Sequence, residues 1–161
     1  MAVLLSQTIR PDRRYGLYAT PMGSGPEGAD QTFKKGAPLV FSSGLLVVAA
    51  ADVVAGIVGF AEHDGHNAAA GTTTVFYTPA LPHVIFEGVL EDAGTPGHVL
   101  VAANIGGVFA LQVDGTTGAW FLDENDTTLH SCRIINAVDP LGTVRGRVNF
   151  IVVADTTLYG T

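Results

Sequence analysis

The sequence contains little cysteine and little charge. Among its 161 residues there is one cysteine, Cys132, so no disulfide can form within the chain. Asp, Glu, Lys and Arg together make up 14% of the residues, which is low for a soluble protein. Stability must therefore come from packing or from assembly, and we expect a partner to cover part of the surface.

Targeting and membrane-spanning segments are also missing from the sequence pattern. The opening residues MAVLLSQTIRPDRR hold too short an apolar run for a secretory signal before they turn basic. The longest apolar stretch, residues 44–61, is interrupted by Asp52 and contains three glycines, which indicates two strands around a turn or a short helical bend. We therefore expect a soluble chain that is synthesised in the host cytoplasm and has no membrane partner.

Charge is divided unevenly along the chain. Within residues 1–20, three arginines against one aspartate give +2, and because the whole chain carries −7, residues 21–161 carry −9. An acidic body repels phosphate groups, so nucleic acid is not an expected partner. The basic N-terminal segment is either a solvated tail or a docking arm.

Residues 1–30 differ in composition from the rest of the chain. They contain three prolines and the segment GSGPEGAD, with little apolar periodicity, which predicts an extended arm and linker before a single β domain at residues 31–161. Tyr15, Leu17 and Tyr18 lie close to the arginines and favour a binding arm over an inert tail. The predicted binding residues are Arg10, Arg13, Arg14, Tyr15, Leu17 and Tyr18.

From residue 31 onward, short apolar runs alternate with Gly, Pro, Ser and Asn at intervals of roughly 8–12 residues, which is the pattern of many small strands. The run VRGRVNFIVV places Val144, Val148, Phe150 and Val152 on one face, opposite Arg145, Arg147 and Asn149. Helical periodicity is almost absent, apart from a possible short helix near Asp52. The fold is therefore predicted to be all-β, a compact antiparallel β-barrel or β-sandwich. Strands are expected near residues 31–35, 37–41, 45–50, 57–62, 72–78, 83–90, 98–102, 107–113, 118–122, 129–138 and 144–154.

The HDGH segment is the strongest candidate for metal chemistry. His63 and His66 have a spacing that can supply two ligands, but no cysteine pair or H-E-x-x-H helix supplies the others. A polar surface loop is the favoured interpretation, and no metal or cofactor is predicted. The acidic segment LDENDTT lacks the central Gly and final Glu of a helix-loop-helix calcium site, so a solvated turn is expected there.

Catalytic motifs are absent from the sequence. There is no G-x-S-x-G nucleophile segment and no glycine-rich phosphate-binding motif. Cys132 lies in an alternating run and is expected to be a small buried hydrophobic residue rather than a nucleophile. We therefore predict that the chain is not an enzyme.

Five short segments resemble the head decoration, or capsid cement, proteins of tailed phages. They are a T-x-x-x-G-x-P-like segment at residues 32–38, a small-residue turn with an apolar strand at 42–50, an I-x-G-x-A element at 57–61, an alanine-rich loop at 67–70 and Phe86-Glu87. Together they cover about a third of the chain. Neither the N-terminal arm nor the half after Glu91 matches the pattern.

The resemblance implies a structural virion protein that binds the outer surface of the assembled major-capsid shell and stabilises it. It also implies homotrimers, and the two-sided apolar strand is the candidate trimer contact. The alternative is a carbohydrate-binding or receptor-binding β module of a virion, in which Trp120 and Phe121 would stack on a ligand, although a core strand is the favoured role for both residues. The trimer-contact residues are Leu45, Leu46, Val47 and Val48.

Overall fold

A computed structural model of the chain describes residues 9–11, 21–53, 55–95, 97–126 and 130–153. These residues form an all-β fold, as predicted, with one short 3-10 turn at Ala102–Asn104. No helix in this part of the chain is long and apolar enough to cross a membrane. The strands are β1 Arg10–Pro11, β2 Gly23–Pro26, β3 Pro38–Ser42, β4 Leu45–Val48, β5 Ile57–Ala61, β6 Thr74–Pro79, β7 Phe86–Glu91, β8 Val108–Val113, β9 Trp120–Asp123, β10 Cys132–Ala137 and β11 Arg147–Val152.

The six-stranded sheet closes on itself. Its order is β1-β7-β11-β10-β8-β9, and β7 also pairs with β9, so the last five strands of this order form a ring. The closing pair is parallel and joins Leu90 to Leu122 and Glu91 to Asp123. Closure pairs backbone groups that would otherwise be exposed at a sheet edge.

The five-stranded sheet has the order β2-β6-β5-β3-β4. Its two outer strands meet at a parallel bridge between Glu27 and Leu46, where the Gly28 amide donates to the Leu46 carbonyl at 2.8 Å. The hairpin between β3 and β4 turns at Ser43 and Gly44, whose φ angles are 50° and 81°. Two successive positive φ angles are typical of the tight I′ turn, which matches the twist of the strands on either side.

Among the described residues, one large hydrophobic cluster contains side chains from both sheets. Phe60 of β5 contacts Phe86 of β7 and Phe150 of β11, with ring centroids 4.6 and 5.9 Å apart. The rings of Phe86 and Phe150 lie 5.8 Å apart. All three side chains are almost completely buried, so the aromatic cluster joins the two sheets.

The last strand confirms most of the predicted alternation. Val148, Phe150 and Val152 are buried, whereas Val144 lies before β11 begins and is 55% exposed. Asn149 falls on the opposite face but is also completely buried, where its amide donates to the Asn136 side chain at 3.4 Å. The face of β11 that was predicted to be exposed to solvent is therefore partly buried.

Several sequence predictions about individual elements are wrong. Residues 31–35 do not form a strand, and residues 98–102 form one bridge, Val99 to Val144, before the 3-10 turn. Of the two alternatives predicted around Asp52, the structure shows the turn, in which Asp52 has a φ angle of 58°, and not the short helix. Each of these segments is short, so its conformation depends on distant partners more than on its own propensity.

The segment predicted to be a linker also belongs to the β domain where the structure describes it. Gly23–Pro26 is strand β2, which pairs with β6 over four residues. Both glycines of β2 meet large side chains, because a Cβ at Gly23 would lie 2.4 Å from the Tyr77 ring and one at Gly25 would lie 3.0 Å from Leu46. The two glycines therefore allow close packing against Tyr77 and Leu46, while Ser24 and Pro26 are exposed.

Candidate functional site

Residues 9–11, the first described part of the predicted N-terminal arm, pack against the body of the chain. Arg10 pairs with Glu87 in the sheet register, and its guanidinium donates to the Glu87 carboxylate at 2.7 Å. Ile9 is 2% exposed and belongs to the core. Arg10 is therefore held against the body of its own chain in this structure. The remaining predicted arm residues, Arg13, Arg14, Tyr15, Leu17 and Tyr18, lie outside the described residues.

A second guanidinium shares the Glu87 carboxylate. Arg147 lies 3.2 Å from the Glu87 oxygen that Arg10 also contacts, and its other nitrogens bind Asp139 at distances down to 2.7 Å. The bonds from Arg147 outweigh partial burial and hold the pKa of Asp139 below its usual value. Two arginines and two carboxylates thus balance in charge, and together they join β1, β7 and β11.

The proposed trimer strand β4 is less accessible than its sequence suggested. Leu46 is completely buried in the core, so its side chain cannot contact a sister subunit, and this part of the prediction is wrong. Leu45, Val47 and Val48 are half-buried. The outer edge of β4 is also occupied, since Leu46 accepts the Gly28 amide and the Val48 amide donates to the Gln31 side chain at 2.9 Å.

The HDGH loop uses its histidines in internal hydrogen bonds. The Nε2 atom of His63 accepts the Phe76 amide at 3.1 Å, and its Nδ1 atom lies 2.9 Å from the Asp64 carbonyl oxygen. The Nδ1 atom of His66 lies 2.5 Å from the Glu27 carboxylate. Within the described residues, no group of three or more histidine, cysteine, aspartate or glutamate side chains is arranged to hold a metal ion.

Glu27 is the residue at this location that sequence reasoning missed. Its side chain is completely buried and accepts the backbone amide of His66 at 2.8 Å and the hydroxyl of Thr73 at 2.6 Å. Burial acts to raise the pKa of Glu27, but the bonds from Thr73 and His66 together lower it below its usual value. One carboxylate therefore fixes the HDGH loop at the point where β2 meets β4. A lone Glu in the glycine-rich segment gave no signal of this role.

A second buried carboxylate organises the far end of β7. Glu91 accepts backbone amides from Asp92, Gly97 and His98 at 2.8–3.0 Å and also contacts the Arg145 guanidinium. Burial acts to raise the pKa of Glu91, but these bonds lower it overall. The carboxylate ties the segment after β7 to the turn before β11.

The acidic segment that begins at the end of β9 is partly buried rather than fully solvated as predicted. Asp123 is 4% exposed and accepts the backbone amides of Ala93 and Asn125 at 3.0 and 3.1 Å. Burial, followed by the charges of Asp126 and Asp123, raises the pKa of Asp52 on the neighbouring turn. The segment thus belongs to a packed corner of the barrel.

Trp120, Phe121 and Cys132 take the structural roles that the sequence favoured. Trp120 and Phe121 are 5% and 4% exposed, so neither ring is available to stack on a ligand. Cys132 is completely buried, which raises the pKa of its thiol. A buried thiol of this kind is a poor nucleophile.

Aliphatic side chains are exposed on a two-stranded ribbon formed by residues 98–101 and 142–145. Val99 opposes Val144, and the Leu100 amide donates to the Thr143 carbonyl at 3.0 Å. Leu100 is buried beneath the ribbon, whereas Val99, Val101 and Val144 are 40–55% exposed, as is the adjoining Leu141. Clustered apolar exposure of this kind is typical of a contact surface.

Comparison of the chain with protein-family models, curated proteins and solved structures found no match.

Proposed function

We propose that this protein is a non-enzymatic structural component of a tailed-phage head, which binds the outer surface of the assembled major-capsid shell and stabilises it. The observation that carries the proposal is the resemblance to head decoration proteins within residues 32–87. Support comes from the location of the resembling segments, because three of them adjoin or form β3, β4 and β5, which are neighbours in one sheet.

The use of polar groups in the fold is consistent with a structural role. Glu27, Glu87 and Glu91 are all buried carboxylates, and each is held by hydrogen bonds or ion pairs that join separate parts of the chain. A closed six-stranded sheet, with loops held by buried carboxylates, makes a rigid body. A rigid body loses little conformational entropy on binding, which favours attachment to a shell through many small interfaces.

The proposed arrangement is a homotrimer on the outside of the virion, with the major capsid protein as the other partner. Leu45, Val47 and Val48 remain the proposed trimer contact, with Leu46 removed from that set because it is buried. Residues 13–18 remain the proposed anchor. The exposed aliphatic ribbon supplies further apolar area that a partner would cover in the assembly.

Binding to shells tests this proposal. Purified protein is titrated against empty heads of the tailed phage that encodes it, and bound protein is measured by co-sedimentation. We expect saturable co-pelleting and an increased thermal stability of the heads. Protein that stays in the supernatant at every concentration would contradict the proposal, and glycan binding would then be tested.

The anchor is tested by substitution rather than by truncation. Removing residues 1–28 would also delete Ile9, β2 and Glu27, so loss of binding could reflect unfolding. We expect the combined change Tyr15→Ala, Leu17→Ala and Tyr18→Ala to weaken shell binding at least roughly tenfold, because aromatic and apolar anchors carry most binding energy. The matched control is Phe76→Ala, an exposed aromatic on the body, which should bind as the wild type does.

A further inference from the structure

Strand β1 is a very small attachment to the edge of β7. It has two residues, with Arg10 opposite Glu87 and Pro11 opposite Phe86. The residue before it, Ile9, is nevertheless 2% exposed. Three consecutive residues therefore insert one apolar side chain, add a short strand and place one guanidinium on a carboxylate.

Ile9 packs beside Gly88, which has no side chain to fill this space. A Cβ atom at Gly88 would lie 3.4 Å from Cγ1 of Ile9, 3.0 Å from the Phe150 ring and 3.1 Å from Cδ1 of Leu122. Gly88 thus leaves space that Ile9 occupies beside two core side chains. We call this space, together with the adjoining edge of β7 and the Glu87 carboxylate, the β1 site.

At this site, β1 is the strand that pairs with the edge of β7. Strand β9 pairs with the same edge of β7 further along, at Leu90 and Glu91. Strand β1 pairs with it at Phe86 and Glu87. When β1 leaves, an apolar cavity and a short unpaired strand edge remain together. An unpaired edge is a template for another strand.

We infer that the Ile9–Pro11 segment of one copy occupies the β1 site of a second copy, so that neighbouring subunits exchange their N-terminal strands. The same three contacts form whether the segment comes from its own chain or from another: Ile9 over Gly88, the Arg10 guanidinium on Glu87, and a strand ended by a proline that lacks an amide hydrogen. Local concentration and the reach of the connecting residues then decide which chain supplies it.

The connection between β1 and β2 is long enough for exchange. Ten Cα-to-Cα steps separate Pro11 from Pro21, and an extended chain of that length spans at most roughly 33–36 Å. This is comparable to the diameter of a small domain. The inference concerns contacts between copies of this chain and does not require binding to a shell.

Cysteine pairing between different chains tests the exchange. Arg10→Cys is placed in one chain and Glu87→Cys in another, because residues opposite each other in an antiparallel pair lie within disulfide range. The two variants are mixed, incubated and oxidised, and covalent dimer is measured on a non-reducing gel. We expect dimer containing one chain of each variant, at a yield that rises with protein concentration. Wild-type protein, whose Cys132 is buried, serves as the blank.

Two controls identify the site. The pair Arg10→Cys with Thr116→Cys, an exposed position on the loop before β9, should give at least roughly tenfold less mixed dimer than the pair with Glu87→Cys, since it is not a register partner. Adding Ile9→Asp to the Arg10→Cys chain should lower the yield by a similar factor, because a charged side chain is expelled from an apolar cavity.

The double variant, with Arg10→Cys and Glu87→Cys in one chain, tests the register of β1 against β7. It should form an intrachain disulfide and run as a monomer. If it closes while the mixture gives no more dimer than the Thr116→Cys control, exchange does not occur. If it fails to close, the β1 register is itself contradicted and the inference fails with it. Neither result bears on shell binding, because no shells are present in the experiment.

Discussion

Replacing Phe150 with alanine is expected to lower the free energy of unfolding by about 3–5 kcal/mol, because removing a buried aromatic ring leaves a cavity that the core fills only in part. The Phe150 ring lies 5.9 Å from Phe60 and 5.8 Å from Phe86, and these contacts join the two sheets. A domain of this size commonly has a stability of about 5–15 kcal/mol, so the loss is a large fraction of the total. Chemical denaturation with urea measures it.

Phe76→Ala is the matched control, because it removes the same ring from a position that is 45% exposed. We expect a loss below about 1 kcal/mol, as for most surface substitutions. Similar losses for Phe150→Ala and Phe76→Ala would contradict the assignment of the aromatic cluster as the junction between the sheets.

Replacing Glu27 with glutamine is the second change with a large expected effect. The carboxylate accepts the His66 amide and the Thr73 hydroxyl and also contacts the His66 ring. An amide offers one acceptor oxygen instead of two, so a buried donor loses its partner at a cost of about 1–3 kcal/mol. Thermal or urea unfolding at neutral pH measures this loss.

The same substitution is expected to change the acid limb of the stability profile. The pKa of Glu27 in the folded protein lies below its usual value of 4.5, so the ionised carboxylate stabilises the fold above about pH 4.5. That contribution is lost as the pH falls through the lower folded pKa. The stability difference between wild type and Glu27→Gln should therefore be largest near neutral pH and shrink in acid.

Glu124→Gln is the control for the pH experiment, since Glu124 is partly exposed and lies 3.7 Å from His98. We expect its unfolding curves to follow those of the wild type within about 0.5 kcal/mol. A constant difference between Glu27→Gln and wild type across the acid range would mean that the Glu27 charge does not stabilise the fold.

Strand content was predictable where the signal is local. The alternation around Phe150 depends on residues close together in sequence, and the structure confirms a strand there. The predictions failed for segments whose conformation depends on distant partners. Glycine-rich β2 forms a strand because Tyr77 and Leu46 pack where its side chains would be.

Candidate sites were harder to predict than strands. The HDGH motif suggested ligands, but the roles of His63 and His66 depend on Phe76 and Glu27, which lie 13 and 39 residues away from them. Glu27 itself was placed in a linker. Sequence spacing reports which side chains are near each other along the chain, whereas hydrogen-bond partners are determined by sheet pairing.

The sequence by itself determined the all-β class, the absence of an internal disulfide and the acidic body, because these follow from composition and from short-range backbone preferences. Only the tertiary structure decided that the six-stranded sheet closes, that Ile9 and Glu27 belong to the body and that Arg10 pairs with Glu87. That last contact joins residues 77 positions apart. Such pairings are selected by complementary packing across the whole domain, which no local pattern encodes.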